Sequence, residues 1–275
     1  MQHRLGYLLK SLEHISFAIH FRLLLLHEYL YIKSRDGSAV KKLGGLIWRQ
    51  PDHAEDLLHF ARLIRVTENI SLIDIGANVG SWAGRFVDMF PNTKIIAFEP
   101  DERAFSELQV RFKDRANSTL YPYAVSSSDK QLVFNRASDT TYSSFEEYSL
   151  LTEGKTEFTD NVVIDARALD SLNLELGDRD ITVLKLDVQG HEIEVLEGAK
   201  NTLKDVDFVF AELSVRQEYS DQAPSFTAAS ALLMEAGLYP VLFQSYGKQL
   251  GPHPVEFDVL FARESTMNRL AGWLS

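Results

Sequence analysis

Leu72-Ile73-Asp74-Ile75-Gly76-Ala77-Asn78-Val79-Gly80 reads as a buried strand, a glycine-bearing turn and the start of a helix. A short, nearly continuous apolar run bounded by turn residues is the pattern of a strand inside a parallel sheet. Gly76 and Gly80 allow backbone to approach a ligand where a Cβ would intrude. The following helix offers free N–H groups and the positive end of its dipole to an anionic ligand group. Asp74 is placed to balance a ligand ammonium, directly or through water. A dinucleotide fingerprint wants G-x-G-x-x-G. Here Asn78 stands at the second glycine, and a bulky polar residue there argues against a pyrophosphate contact. A nicotinamide site is therefore the lesser reading, and a strand–helix turn with no ligand is the other alternative.

Outward from this stretch, strands and helices alternate. Strands are expected at 71–75, 94–99, 119–124, 182–187, 207–213, 239–244 and 257–262, and helices near 80–89, 102–113, 192–203 and 226–236. That alternation predicts an α/β fold around a mostly parallel sheet. Between 126 and 170 the regularity weakens, leaving room for a hairpin near 131–135 and a Ser/Thr-rich loop at 138–144. The last two strands have no helix between them, so they should pair antiparallel.

Upstream, Leu5, Leu8, Leu9, Leu12, Ile15, Ile19, Leu23, Leu26 and Leu30 recur at helical steps, and a second helix fits 51–64. The expected organisation is an N-terminal helical extension, 1–50, followed by one catalytic-sized domain, 51–275. The first fifty residues carry eight Lys/Arg and three Asp/Glu, and the remainder twenty against thirty-six. A basic helix on an acidic body suits peripheral contact with an anionic membrane or a homodimer contact, with packing on the domain as the plainer role. The acidic body argues against nucleic acid as a partner. No signal peptide or spanning helix is legible and there are no cysteines, which fits a cytoplasmic protein and removes disulfides, thiolate metal sites and thiol nucleophiles.

Acids recur at strand ends. Glu99 closes Ile95-Ile96-Ala97-Phe98 and lies 23 positions after Gly76, near the ~20-residue spacing of a ribose-binding acid. Lys185 and Asp187 share one face of the next central strand. A lysine there is expensive unless paired or functional, so Lys185 either pairs with Asp187 or Glu212 or serves the chemistry. Glu212 closes Val209-Phe210-Ala211 in the same way. His191 opens the helix after Asp187, where the helix N-terminus favours neutral imidazole.

Taken in order, these segments resemble the FkbM-type methyltransferases, a class I, Rossmann-like family dependent on S-adenosylmethionine. The residues that carry the resemblance are Ile73–Gly80, Ala97–Pro100, Ala168-Leu169-Asp170-Ser171-Leu172, Leu184–Gly190 with Glu192–Ala199, and Phe210–Leu213. The Ser143-Ser144 pair resembles the serine-containing loop of that family. The resemblance covers about residues 70–215. It implies a seven-stranded sheet in the order 3-2-1-4-5-7-6 with the last strand antiparallel, and O-methylation of sugars, glycans or natural products. It also implies a cofactor site of Asp74, Gly76, Asn78, Gly80 and Glu99, with Ala124, Val125 and Ser126 near the adenine, and S-adenosylhomocysteine as product. Ser143, Ser144 and Gln189 are then candidate substrate contacts. Many members have Glu where this chain has Gln189, so one acid is removed from the site.

Asp187 and Glu212 are the candidate bases for an acceptor hydroxyl, with His191 and Lys185 beside them. The alternative chemistry is a divalent ion such as magnesium on the two carboxylates and the histidine, and the metal-free base is preferred because no fuller ligand set is visible. A nicotinamide oxidoreductase or epimerase and a binding protein of the same fold without activity are the competing functions.

Overall fold

The structure is a computed structural model that describes residues 60, 69–145, 158–177, 179–215, 225–244, 249–250, 253–254 and 256–271. The N-terminal extension at 1–50, its boundary, its membrane or dimer role and nearly all of the helix expected at 51–64 lie outside the described residues. Among the described residues no helix is long and apolar enough to cross a membrane.

The quoted stretch forms β1 (Ile70–Ile75), buried along its whole length, and α1 (Ser81–Met89). The chain continues through β2 (Lys94–Phe98), α2 (Glu102–Phe112), β3 (Ser118–Tyr121), β4 (Ala124–Val125), β5 (Lys130–Ala137) and β6 (Phe158–Arg167). Then come β7 (Ile181–Leu186), α3 (Glu192–Glu197), β8 (Phe208–Ser214), α4 (Ser225–Glu235), β9 (Leu238–Gln244), β10 (Gln249–Leu250), β11 (His253–Pro254), β12 (Glu256–Arg263) and α5 (Glu264–Ala271).

Seven strands make one sheet in the order β3-β2-β1-β7-β8-β12-β9. In chain order of its members that is 3-2-1-4-5-7-6, as the resemblance implied. β12 runs antiparallel to both neighbours, while the strands from β3 to β8 are parallel. The chain leaves β1 for β2 on one side and returns to β7 on the other, so the crevice between the carboxyl ends of β1 and β7 is a topological switch point.

The face of the sheet bearing Ile73, Ile75, Leu184, Leu186, Val209, Ala211 and Leu213 packs in one apolar cluster with Val195, Leu196, Ala229 and Leu233 of α3 and α4. The opposite face carries Phe208, Phe210, Phe60, Phe86, Phe90 and Trp82 in edge-on, tilted and stacked ring contacts. Such pairs add about 0.5–1.5 kcal/mol each beyond the area they bury.

Three sequence expectations are corrected. The strand expected at 119–124 is two pieces, β3 and β4, and β4 leaves the main sheet to pair with β6. The hairpin near 131–135 is instead a long pairing of β5 with β6, whose partner begins at Phe158. The helix expected to reach 203 ends at Glu197. There the backbone of Ser126 comes so close that a Cβ on Gly198 would overlap its carbonyl oxygen. Gly198→Ala should therefore lower stability by about 2–4 kcal/mol, since backbone and not a flexible side chain must move. Urea unfolding checks this, and a loss below about 0.5 kcal/mol would show that the turn is loose.

Candidate active site

The turn after β1 is held from below and beside. Gly76 and Ala77 both donate their N–H to the Phe98 carbonyl, and Asp187 donates its N–H to the Ile75 carbonyl. Gly76 sits at φ 78°, and a Cβ there would overlap the Asp187 carbonyl oxygen. The close approach that demands glycine is thus made first by the neighbouring strand of the protein itself. Asn78 also lies in the left-handed region, at φ 48°. Its carboxamide oxygen accepts from Thr140 Oγ1 at 3.0 Å, which ties the Ser/Thr-rich loop to the turn.

Glu99 is buried, and both its oxygens are engaged. Oε2 accepts from Asn78 N and Oε1 from Asp101 N, each at 2.7 Å. Burial pushes its pKa up to about 8 against the pull of those two N–H groups. Asp101, and not Glu99, caps α2, accepting from Arg103 N at 3.0 Å. Asp74 stands beside Lys185 in register across β1 and β7. It is fully buried and its Oδ2 has no hydrogen-bond partner. Burial pushes its pKa up to about 6, Lys185 pulling it down and Asp187 pushing it further up. A buried carboxylate oxygen without a partner in the protein is open to a donor from water or a ligand.

At the carboxyl ends of β7 and β8 the expected acids come together. Lys185 Nζ donates to Asp187 Oδ2 at 2.8 Å and lies 5.8 Å from the centre of the Trp82 ring. Gln189 Nε2 donates to Asp187 Oδ1 at 3.0 Å and to Glu212 Oε2 at 2.9 Å. Burial would raise the Asp187 pKa, but Lys185 and the amide outweigh it and hold the carboxyl below its usual range. Glu212 is pushed well up by burial and by Asp187, Glu256 and Asp258, so of the two acids it is the one that holds a proton more readily. Burial disfavours charge on Lys185 as well, yet Asp187 and Asp74 keep it protonated. Of the two candidate bases, Asp187 is the ionised one, and Lys185 takes the pairing role.

The other expected residues lie elsewhere. His191 is buried, with Nε2 at 3.0 Å from Ser126 Oγ and its ring 4.5 Å from that of Phe145. Its pKa is pushed down to about 4 by burial, then by Lys130, which keeps the imidazole neutral at neutral pH. The structure brings His191 to the Ala124–Ser126 turn and not to the two carboxyls. Ser143 and Ser144 are buried. Ser143 Oγ accepts from Ala137 N at 3.0 Å and reaches Asp101 Oδ2 at 3.5 Å, so it braces its own loop. Ser144 exchanges backbone hydrogen bonds with Asn135. Asp170 accepts from the backbone of Asn201 and Thr202 and starts the turn after α3, a structural duty. Among the described residues no group of three His, Asp or Glu side chains is arranged to hold a metal ion.

Compared with known proteins, residues 74–249 match the family described as the methyltransferase FkbM domain. Two characterised proteins are similar over more than half of this chain. The 2-O-methyltransferase NoeI of Sinorhizobium fredii is 29% identical over 162 residues, 56% of this chain and 67% of its own. The hexuronic acid methyltransferase AglP of Haloferax volcanii is 32% identical over 174 residues, 61% of this chain and 66% of its own. The chain thus spans about two thirds of the length of each. Among solved structures, the fibrillarin pre-rRNA processing protein of Methanococcus jannaschii superposes with a TM-score of 0.43 at 12% identity, covering 73% of this chain and 69% of that one. The fold assignment rests on the strand order and not on that likeness.

Proposed function

The chain belongs to the FkbM methyltransferase family, and on that footing we propose that it moves a methyl group from S-adenosylmethionine to a hydroxyl oxygen of a sugar or glycan. The observation that carries the reading is the pair of carboxyls, Asp187 and Glu212, bridged by Gln189 at the switch-point crevice beside the β1 turn. The two characterised relatives, one named for 2-O-methylation and one for a hexuronic acid, support a carbohydrate acceptor.

The residues present fit the cofactor. Asp74 Oδ2, buried and without a partner, would receive the ammonium of its methionine part. Glu99 would take the ribose hydroxyls on lone pairs not used by Asn78 and Asp101, and their donation would draw the raised pKa back down toward the ionised form. The Ala124–Ser126 turn, fixed by Ser126 N donating to the Arg167 carbonyl at 2.8 Å, would lie near the adenine. When bound, S-adenosylmethionine supplies a methyl carbon already activated by the adjoining sulfonium. The protein's share is then largely to hold the acceptor oxygen close and in line. Asp187, ionised and pinned by Lys185 and Gln189, accepts the hydroxyl proton as charge leaves that oxygen. Glu212, the acid of the pair that protonates more readily, would offer a hydrogen bond to a neighbouring oxygen of the acceptor.

Incubation with methyl-labelled S-adenosylmethionine and a panel of neutral and uronic-acid oligosaccharides tests the reading. Label that survives mild alkali marks a hydroxyl ether. Label released by alkali marks a carboxyl ester and overturns the hydroxyl assignment. For the cofactor site, Glu99→Ala should weaken S-adenosylhomocysteine binding by about 1–3 kcal/mol, because buried donors lose their acceptor. Unchanged affinity in calorimetry removes Glu99 from that role.

A further inference from the structure

We propose that Gln189 is a positioning residue, its amide nitrogen holding the Asp187 and Glu212 carboxyls as one unit across the ends of β7 and β8. The inference rests on the hydroxyl-methylation reading and concerns how that site is kept in its working charge state.

A primary amide has two N–H groups, and here one goes to each acid, at 3.0 and 2.9 Å. The orientation of the amide follows from its partners: turned over, it would set its oxygen against both acids. The backbone also commits to this arrangement. Gln189 sits at φ 51°, a region that a non-glycine residue adopts rarely. That turn, between Asp187 at the strand end and His191 before α3, brings the side chain back between the two carboxyls.

Charge explains why an amide suits this place. Among the described residues, the charged groups that act on the pair are Lys185 from β7 beneath it, Asp74 from β1, and Glu256 and Asp258 from β12, where Asp258 stands opposite Glu212 in register. Two carboxyls this near each other and among further acids cannot both ionise cheaply, so one proton is shared within the pair. An amide donates to both and brings no charge of its own. It therefore steadies a single negative charge on the pair, and Lys185, which donates to Asp187 alone, places that charge on Asp187 and leaves the proton to Glu212. A glutamate at 189 would bring a third acid and remove a donor.

The test uses the full chain with Gln189→Glu and Gln189→Met, both close to isosteric, and carbon-detected NMR of labelled Asp and Glu carboxyls from about pH 2 to 9. In both variants the ionisation of Asp187 should move up by about one pH unit, more in Gln189→Glu than in Gln189→Met. Turnover, where an acceptor is methylated, should lose its acid limb by the same interval, with the KM for S-adenosylmethionine within about twofold of wild type. Heat-stability shifts on adding S-adenosylhomocysteine identify which variants are folded, and either one suffices. Carboxyl titrations that superimpose on wild type overturn the positioning role whatever the turnover. Titrations that shift in a chain that methylates no hydroxyl uphold the pairing and sink the hydroxyl reading instead.

Discussion

Asp187→Asn lowers turnover by about two to four orders of magnitude while S-adenosylhomocysteine affinity changes little. The reason lies in what the residue touches. Its oxygens face Lys185 and Gln189, and its backbone N–H belongs to the β1–β7 pairing, which asparagine leaves intact. Asparagine preserves the volume and one acceptor, so the crevice keeps its shape. What is lost is the negative charge that attracts the acceptor proton. A carboxyl held below its usual range is a weak base, so much of its contribution is orientation of the O–H group, and the loss should fall on kcat more than on KM. Glu212→Gln should do less, because Glu212 is the acid pushed toward its protonated form and glutamine still offers a donor. Rates for the two variants at saturating acceptor decide the matter. Wild-type turnover in Asp187→Asn would end its assignment as the base, and a larger loss in Glu212→Gln would exchange the two roles.

The residues proposed to hold the cofactor could be picked out in the sequence because their pattern is local. Asp74, Gly76, Asn78, Gly80 and Glu99 all lie at the ends of apolar strands whose pattern announces them, and the strands fell where the pattern placed them. The acceptor half was legible only as types and positions. That Asp187 and Glu212 converge followed from adjacent strand ends, but the Gln189 bridge did not. It reaches Glu212, 23 positions beyond Gln189, through a left-handed turn that no local motif marks. Ser126 and His191, 65 positions apart, meet for the same reason. The serines at 143 and 144 were expected to face a substrate. They are buried instead, Ser143 bracing its loop to Ala137 and Asp101, because the loop folds back against β5. Gly198 was visible as part of a familiar-looking segment, yet its reason, the passing Ser126 backbone, belongs to a strand that leaves the main sheet. Long-range approach is the common factor in what a single sequence hides.

Asp74→Asn should move stability and binding in opposite directions. In the ligand-free chain the Asp74 pKa rises from 3.8 to about 6, burial being the main cause. At ~1.4 kcal/mol per pKa unit, ionised Asp74 costs about 3 kcal/mol of stability at neutral pH. The sign follows from proton binding. Between those two values the folded chain keeps a proton that the unfolded chain has released. Stability contributed by the protonated group is therefore complete below 3.8 and is lost as pH rises through about 6. Asparagine has no such charge to bury, so the variant should be more stable than wild type above about pH 6, and the difference should narrow as pH is lowered toward about 4. Lys185 keeps Asp187 as its hydrogen-bonded partner, which spares the variant an uncompensated buried cation. Binding runs the other way. The carboxylate oxygen that lacks a partner in the free chain would meet the ligand ammonium, so its removal should weaken S-adenosylhomocysteine by roughly tenfold to a hundredfold. Wild-type affinity should itself fall as pH drops below about 6, and that dependence should vanish in the variant. Urea unfolding of both chains at several pH values, with calorimetry at the same values, reads all three effects. A stability difference that ignores pH would show that the carboxylate is not ionised at its own expense. Wild-type affinity in the variant would show that the ammonium is held elsewhere.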